Sequence, residues 1–343
     1  MTPSPVWHPF TQHALEPPMK RIVATEGAYL FDEDGNRILD AISSWWVITH
    51  GHRHRGIMAA IREATEAYDQ IIFAEFTHEP AEILAERLLA FAPSGLKHVF
   101  YSDSGSTAVE VAIKMALGTF HNRGIARDRI VVMEHGYHGD TIGTMSAGER
   151  GVFNAPFEPL LFGVDRLPFP ELGREQETLD AFEAICRSGK VAAILVEPLV
   201  LGAGGMKFYG SAVLSALKEI AGRYGCLFIA DEVMTGWGRT GTRFACEQAG
   251  VTPDILCTSK GLTGVPCRWR QLFAQQRFSR PICLPTDARP FSIRVPIPPT
   301  QSPARRLSPI CRSGKTNRSK PGLPSLPRST AIICDASRTT IDL

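Results

Sequence analysis

Phe228 to Gly264 reads FIADEVMTGWGRTGTRFACEQAGVTPDILCTSKGLTG, and the fold turns on its two ends. CLFIA before Asp231 and DILCTS before Lys260 are short apolar runs bounded by turn residues, the pattern of strands buried on both faces. Upstream lie three more runs of the same kind: HVFYS (98–102), RIVVME (129–134) and VAAILVEP (191–198). Between them TAVEVAIKMALGTF, LDAFEAICRSG and SAVLSALKEIAGRYG have helical spacing. Buried strands alternating with helices predict an α/β fold with a mostly parallel sheet covered on both faces. Ligands of such folds sit beyond the carboxyl ends of the strands, so the residues after each run are the candidates.

An Asp and a Lys ending two neighbouring core strands are expensive to bury without a task. A Lys amine beside an aldehyde cofactor forms a Schiff base, and an Asp facing a pyridine nitrogen keeps that ring protonated. The competing reading is a buried ion pair. After HVFYS come Asp103-Ser104-Gly105-Ser106-Thr107 and a helix. Free backbone N–H groups at such a helix start can hold an anion, and a plain N-cap explains the same residues. After RIVVME comes His135-Gly136-Tyr137-His138-Gly139-Asp140. Tyr137 could face a ring or cap the core. No third ligand stands at metal spacing from the two His, so no metal is expected. Trp45-Trp46 wall a pocket, or are split between core and surface.

Nearer the N-terminus, residues 20–42 alternate apolar and polar around Asp34-Gly35, which predicts an antiparallel hairpin. RGIMAAIREATEAYDQI and PAEILAERLLAFA have helical spacing, with Pro80 suited to a first turn. Apolar residues make up 44% of the 343 and charged residues 21%, which excludes a disordered or collagen-like chain. No apolar run is long enough to span a bilayer, MTPSPVWHPF lacks the pattern of a signal peptide, and the expected location is the cytoplasm. The eight Cys include no CxxC pair, which argues against metal or redox use.

The net charge of +2 hides a split. Residues 265–343 hold 14 basic and 3 acidic side chains, none of them Glu, for a net +11. Residues 1–264 hold the other 23 basic and 32 acidic ones, for a net −9. The tail also has 12 of the 25 Pro and 2 of the 30 Gly, and stretches such as VPIPPTQSPARRLSP carry neither helical nor strand periodicity. A basic arm for a polyanion, a solvated linker and out-of-frame translation compete here. Val265–Leu272 and Phe291–Pro303 can both be back-translated so that one common offset reads ALPLAAT and FHSSSYTANPIA. The expectation is therefore one lost base near codons 264–265 and a tail that is no domain. Gly314-Lys315-Thr316 imitates a phosphate loop, but Pro309 stands where that motif needs Gly.

Together these residues resemble the class III, fold-type I pyridoxal-phosphate aminotransferases, with Phe228–Gly264 matching the family signature throughout. WHPFTQH, AISSWWVITHGH, DSGSTAVEVAIKMA, HGYHGDTIGTMS and VEPLVLGAGGM are similar to the branch serving biotin synthesis, from about Trp7 to Gly264. The offset strings also look like the family's continuation. The resemblance implies pyridoxal 5'-phosphate as cofactor, Lys260 as the Schiff-base lysine and Asp231 as partner of the pyridine nitrogen. Gly105 and Ser106 would hold the phosphate, and Tyr137 would lie against the ring and line the substrate site. Trp45, Trp46 and Phe10 would form the substrate pocket, with Asp140 and Arg239 on the substrate side. The family often has Tyr where this chain has Phe10.

The implied reaction moves the amino group of S-adenosylmethionine to 8-amino-7-oxononanoate, giving 7,8-diaminononanoate, in a homodimer without nucleic-acid or membrane partners. Residues 1–50 would contribute to the small domain and substrate pocket, 51–264 would be the incomplete cofactor-binding large domain, and 265–343 the out-of-frame tail. The FHSSSYT segment and the C-terminal small domain would then be missing and the chain impaired. The rivals are a class III aminotransferase for acetylornithine, 4-aminobutyrate or an ω-amine, and a non-catalytic product of a disrupted gene.

Overall fold

A computed structural model of the chain describes Val6, His8, Pro9, residues 19–264 and the backbone of 270–275. Phe10, Gly314-Lys315-Thr316 and the rest of 265–343 lie outside the described residues.

The N-terminal part is a three-stranded antiparallel sheet of β1 (Ile22–Glu26), β2 (Tyr29–Asp32) and β3 (Arg37–Leu39). The expected hairpin is the β2–β3 half. Its turn forms because the Asp32 carboxylate accepts the amides of Asp34 and Asn36, while Gly35 supplies a φ of +82°. Then comes α1 (Ser43–Trp46), a single turn in which all four residues have positive φ, 45° to 67°. Two amphipathic helices follow, α2 (Arg55–Ala67) and α3 (Glu79–Phe91), each capped by a His ring that accepts a backbone amide.

The alternation predicted from sequence is the main body. In chain order it comprises β4 (Leu96–Ser102), α4 (Gly105–Asn122), β5 (Arg129–Met133), α5 (Ile142–Ala147), β6 (Asp165–Leu167) and α6 (Glu175–Cys186). It continues with β7 (Val191–Val196), the ribbon β8 (Val200–Leu201) and β9 (Lys207–Phe208), α7 (Ser211–Tyr224), β10 (Leu227–Asp231), β11 (Ile255–Thr258) and β12 (Arg270–Gln275). Seven strands make one sheet in the order β4-β12-β11-β10-β7-β5-β6. The pairs β6–β5, β5–β7, β7–β10 and β10–β11 are parallel, and β12 is antiparallel to both β11 and β4. All strands but β12 therefore point the same way. β12 falls within the tail, where sequence reading assigned no element, and it fills the slot between β4 and β11.

Side chains of the central strands alternate between two cores, as period-2 geometry requires. Val131, Ile194, Val196, Phe228 and Ala230 face α6 and α7 on one side. Ile130, Val132, Leu195, Leu227 and Ile229 face α4 on the other. A third cluster joins α3 to Leu96, Phe244 and Leu256. Both faces are covered, so the strand ends are where polar residues can gather. Among the described residues no helix is long and apolar enough to cross a membrane.

Candidate active site at the strand ends

Asp231 is the last residue of β10 and pairs in register with Cys257 of β11, three residues before Lys260. The two ends are thus neighbours, as predicted. Asp231 is 4% exposed. Its Oδ2 lies 2.8 Å from His138 Nδ1, so the ring donates to the carboxylate, and its Oδ1 accepts the Val233 amide at 3.1 Å. The adjacent Glu232 is fully buried but has another task. Its carboxylate accepts the amides of Ala245 and Cys246 and the Thr235 hydroxyl, which folds the 232–246 loop back on itself. Burial raises its pKa despite these donors.

Tyr137 and His138 follow β5. The Tyr137 amide donates to Glu197 Oε1 at 2.9 Å, and Glu197 Oε2 accepts the Gly202 amide at 3.1 Å. Glu197 directly follows β7, whereas Asp231 is the last residue of β10. The Glu197 pKa is pushed up to about 7, chiefly by burial, with nearby His138 opposing and Asp231 reinforcing. The Tyr137 ring is 42% exposed, and its hydroxyl donates to Asp140 Oδ2 at 3.0 Å. Burial and the Asp140 charge raise the phenol pKa.

Gly105 opens α4 after β4. A capping box between Ser104 and Thr107 uses those two amides, which leaves the first-turn amides of Gly105 and Ser106 for a ligand. The plain N-cap and the anion cradle are therefore compatible. A Cβ at Gly105 would stand 2.8 Å from Val233 Cγ1 and 3.5 Å from Ser259 Cβ, so the backbone approaches both strand-end loops closely. Ser106 Oγ accepts the Asp140 amide at 3.2 Å, joining this side to the β5 loop. Ser259 is fully buried, and its Oγ finds no hydrogen-bond partner among the described residues.

Lys260 sits in a tight turn at φ +38° with its Nζ 5.6 Å from the centre of the Trp46 ring. Trp46 packs against the main core, whereas Trp45 is 59% exposed, so the pair is split. The left-handed turn carrying them is a costly conformation for non-glycine residues. Arg239 holds it: Nη2 donates to the Trp46 carbonyl at 2.9 Å and Nε to the Met234 carbonyl at 2.8 Å. The guanidinium expected on the substrate side thus bonds two backbone carbonyls.

Sequence reading missed three groups here. The spacing of His138 raises only a metal ligand, and nothing in it points to Asp231. Glu197 carries the same signal as Asp231, a charge ending a core strand, and the rule applied to VAAILVEP finds it. Ser259 sits unremarked in DILCTS. Among the described residues no group of three or more His, Cys, Asp or Glu could hold a metal ion.

A parallel sheet with a Lys, an Asp and a helix start gathered at its strand ends defines a fold-type I transferase, and comparison names the family. The chain belongs to the class-III aminotransferases, whose family model matches residues 11–282, eighteen residues beyond the Gly264 boundary expected from sequence. The adenosylmethionine-8-amino-7-oxononanoate aminotransferase of Synechococcus elongatus is 50% identical over 267 residues, covering 76% of this chain and 63% of that protein. The protein of the same name from Nitratidesulfovibrio vulgaris is 43% identical over 279 residues, covering 76% and 51%. Among solved structures, that aminotransferase from Methanocaldococcus jannaschii matches with a TM-score of 0.76 at 34% identity, over 81% of this chain and 65% of its own. A PLP-bound amine transaminase from an uncultivated Pseudomonas species matches at 0.77 and 32%, over 81% and 67%. The chain thus spans about half to five-eighths of the length of these curated relatives.

Proposed function

We propose that the strand-end site binds pyridoxal 5'-phosphate and serves an aminotransferase of biotin synthesis, which takes the amino group of S-adenosylmethionine to 8-amino-7-oxononanoate. The observation carrying the cofactor assignment is the pairing of a close-packed glycine at the start of α4 with the unpartnered buried hydroxyl of Ser259. Such a cradle fits a phosphate dianion. Asp231, oriented by His138, would hold the ring nitrogen, and Tyr137 would cover the ring face. When bound, the cofactor supplies an electron sink for the electrons released at the substrate α-carbon. Lys260 would take the proton from that carbon and return it elsewhere, as general base and then acid. Trp46 and Trp45 would exclude water and contact the donor, Phe10 would add a ring without a hydroxyl, and Asp140 would sit on the substrate side. Arg239 would act through the Trp46 turn.

The choice of substrates rests on likeness to the Synechococcus elongatus and Methanocaldococcus jannaschii proteins. Likeness to the amine transaminase keeps an ω-amine donor as the second reading. Incubation of the cofactor-loaded chain with 8-amino-7-oxononanoate and either donor separates them. Formation of 7,8-diaminononanoate with S-adenosylmethionine alone supports the first reading; turnover with amines alone overturns it. Cofactor binding without turnover of either marks a non-catalytic product.

We further infer a lost base near codons 264–265, a cytoplasmic location and a homodimer for the intact enzyme. The composition break and the two back-translations support the first. Exposed Ile72, Phe76, Val152 and Phe153 support a covering partner. Sequencing the DNA across codons 260–270 tests the frame: an extra base removes the tail, and the sequence as printed overturns a sequencing error and leaves a disrupted gene. Light scattering of the frame-restored protein tests the dimer, which a monomer would contradict.

A further inference from the structure

Cys186 and Cys226 are 40 residues apart in sequence, yet their sulfurs lie 3.7 Å apart. Cys186 is the last residue of α6, and Cys226 immediately precedes β10. Both are 2% exposed and both are free thiols. The packing of α6 beside α7 and the sheet brings them together, so no sequence spacing announces the pair.

Their surroundings are not symmetric. Arg127 Nη1 stands 3.6 Å from Cys226 Sγ, held in place by the Val191 carbonyl at 3.0 Å, while Nη2 donates to the Tyr224 carbonyl at 2.8 Å. The Phe120 ring packs against the guanidinium, 4.9 Å from its centre. The contact with Cys186 and the adjacent Arg127 guanidinium favour the thiolate at Cys226 while burial opposes it, and the shared contact and burial raise the Cys186 thiol. The remaining described thiols differ: Cys246 and Cys257 are fully buried, and burial raises both well above the ordinary range. One thiol of the pair is thus set up as nucleophile and the other as proton-bearing partner.

We propose that Cys186 and Cys226 form a dithiol site that a hydroperoxide oxidises to an intrachain disulfide. The Cys226 thiolate attacks the peroxide, the O–O bond breaks, and the leaving oxygen departs as alcohol or water with a proton. The Cys186 thiol then attacks the sulfenic sulfur of Cys226. The S–S bond forms, the S–O bond breaks, and water leaves. Two thiols lose two electrons and two protons to one hydroperoxide. The new bond requires the sulfurs to close from 3.7 Å to about 2.05 Å, a shift within reach of side-chain rotation at a helix terminus.

The test treats the full chain with hydrogen peroxide, digests it without reductant and maps every cysteine by mass spectrometry. The expected result is a Cys186–Cys226 linked peptide, lost on adding dithiothreitol, while Cys246 and Cys257 stay free. Its yield should exceed that of any pair formed in guanidinium by about tenfold, because folding fixes the partner. In Cys186→Ala, Cys226 should be captured by dimedone as a sulfenic acid; in Cys226→Ala, Cys186 should remain a thiol. Absence of the linked peptide from the folded protein overturns the proposal. So does a yield matching that in denaturant, or dimedone capture of Cys186 in place of Cys226.

Discussion

The site has two unlike flanks. The β5–β7–β10 side is a closed polar network in which Tyr137, His138, Glu197 and Asp231 are tied by hydrogen bonds and mostly buried. The β4–β11 side is a cradle of small residues, Gly105, Ser106 and the buried Ser259, beside Lys260, whose Nζ lies near the ring of the strained Trp45-Trp46 turn. The difference separates what orients from what receives. A closed network fixes charges and must lose stability when any member is removed. The cradle retains unused donors, so its defects should show in ligand binding more than in stability.

The largest break in that contrast is Asp231→Ala. It leaves His138 buried without its acceptor and should cost about 3 kcal/mol. Urea unfolding measures this, and a loss under about 1 kcal/mol would show the network to be loose. Glu197 sharpens the same flank through pH. Its carboxyl has an ordinary value of 4.5 and is held near 7 in the fold. The folded state therefore binds the extra proton between these values, and the cost of the buried charge is absent below pH 4.5 and complete above pH 7. Stability relative to Glu197→Gln should fall by about 3 kcal/mol across that window, and parallel profiles would contradict the assignment.

On the other flank, Gly105→Ala pushes a methyl against Val233. A cost of about 1–2 kcal/mol is expected, with a disproportionate loss of pyridoxal phosphate affinity by fluorescence titration. Smallest is Arg239→Lys, which gives up one of the two carbonyl bonds, to Trp46 and to Met234, that brace the Trp46 turn and should cost about 1 kcal/mol. Its signature is faster hydrogen exchange at the amides of Val47 and Ile48, both bonded to the Ser43 carbonyl.

The same contrast marks what was legible beforehand. Lys260, Asp231 and Gly105 stood out because strand periodicity placed them at strand ends, where the rule for open sheets applies. The parallel sheet followed from the same runs. His138 reaches Asp231 across 93 residues of sequence, and nothing local encodes that contact. The left-handed turn at Ser43–Trp46 contradicts local preference and persists through Arg239 and the core packing of Trp46. β12 also escaped notice, because RQLFAQ lies in a segment whose overall composition argued against structure.

The central claim is that Lys260 is the covalent anchor of a pyridoxal phosphate site. The direct measurement is borohydride reduction of the cofactor-loaded chain, followed by peptide mapping. The account predicts the cofactor mass on the peptide containing Lys260 and its loss in Lys260→Ala. Label on any other lysine, or label that survives Lys260→Ala, would contradict it.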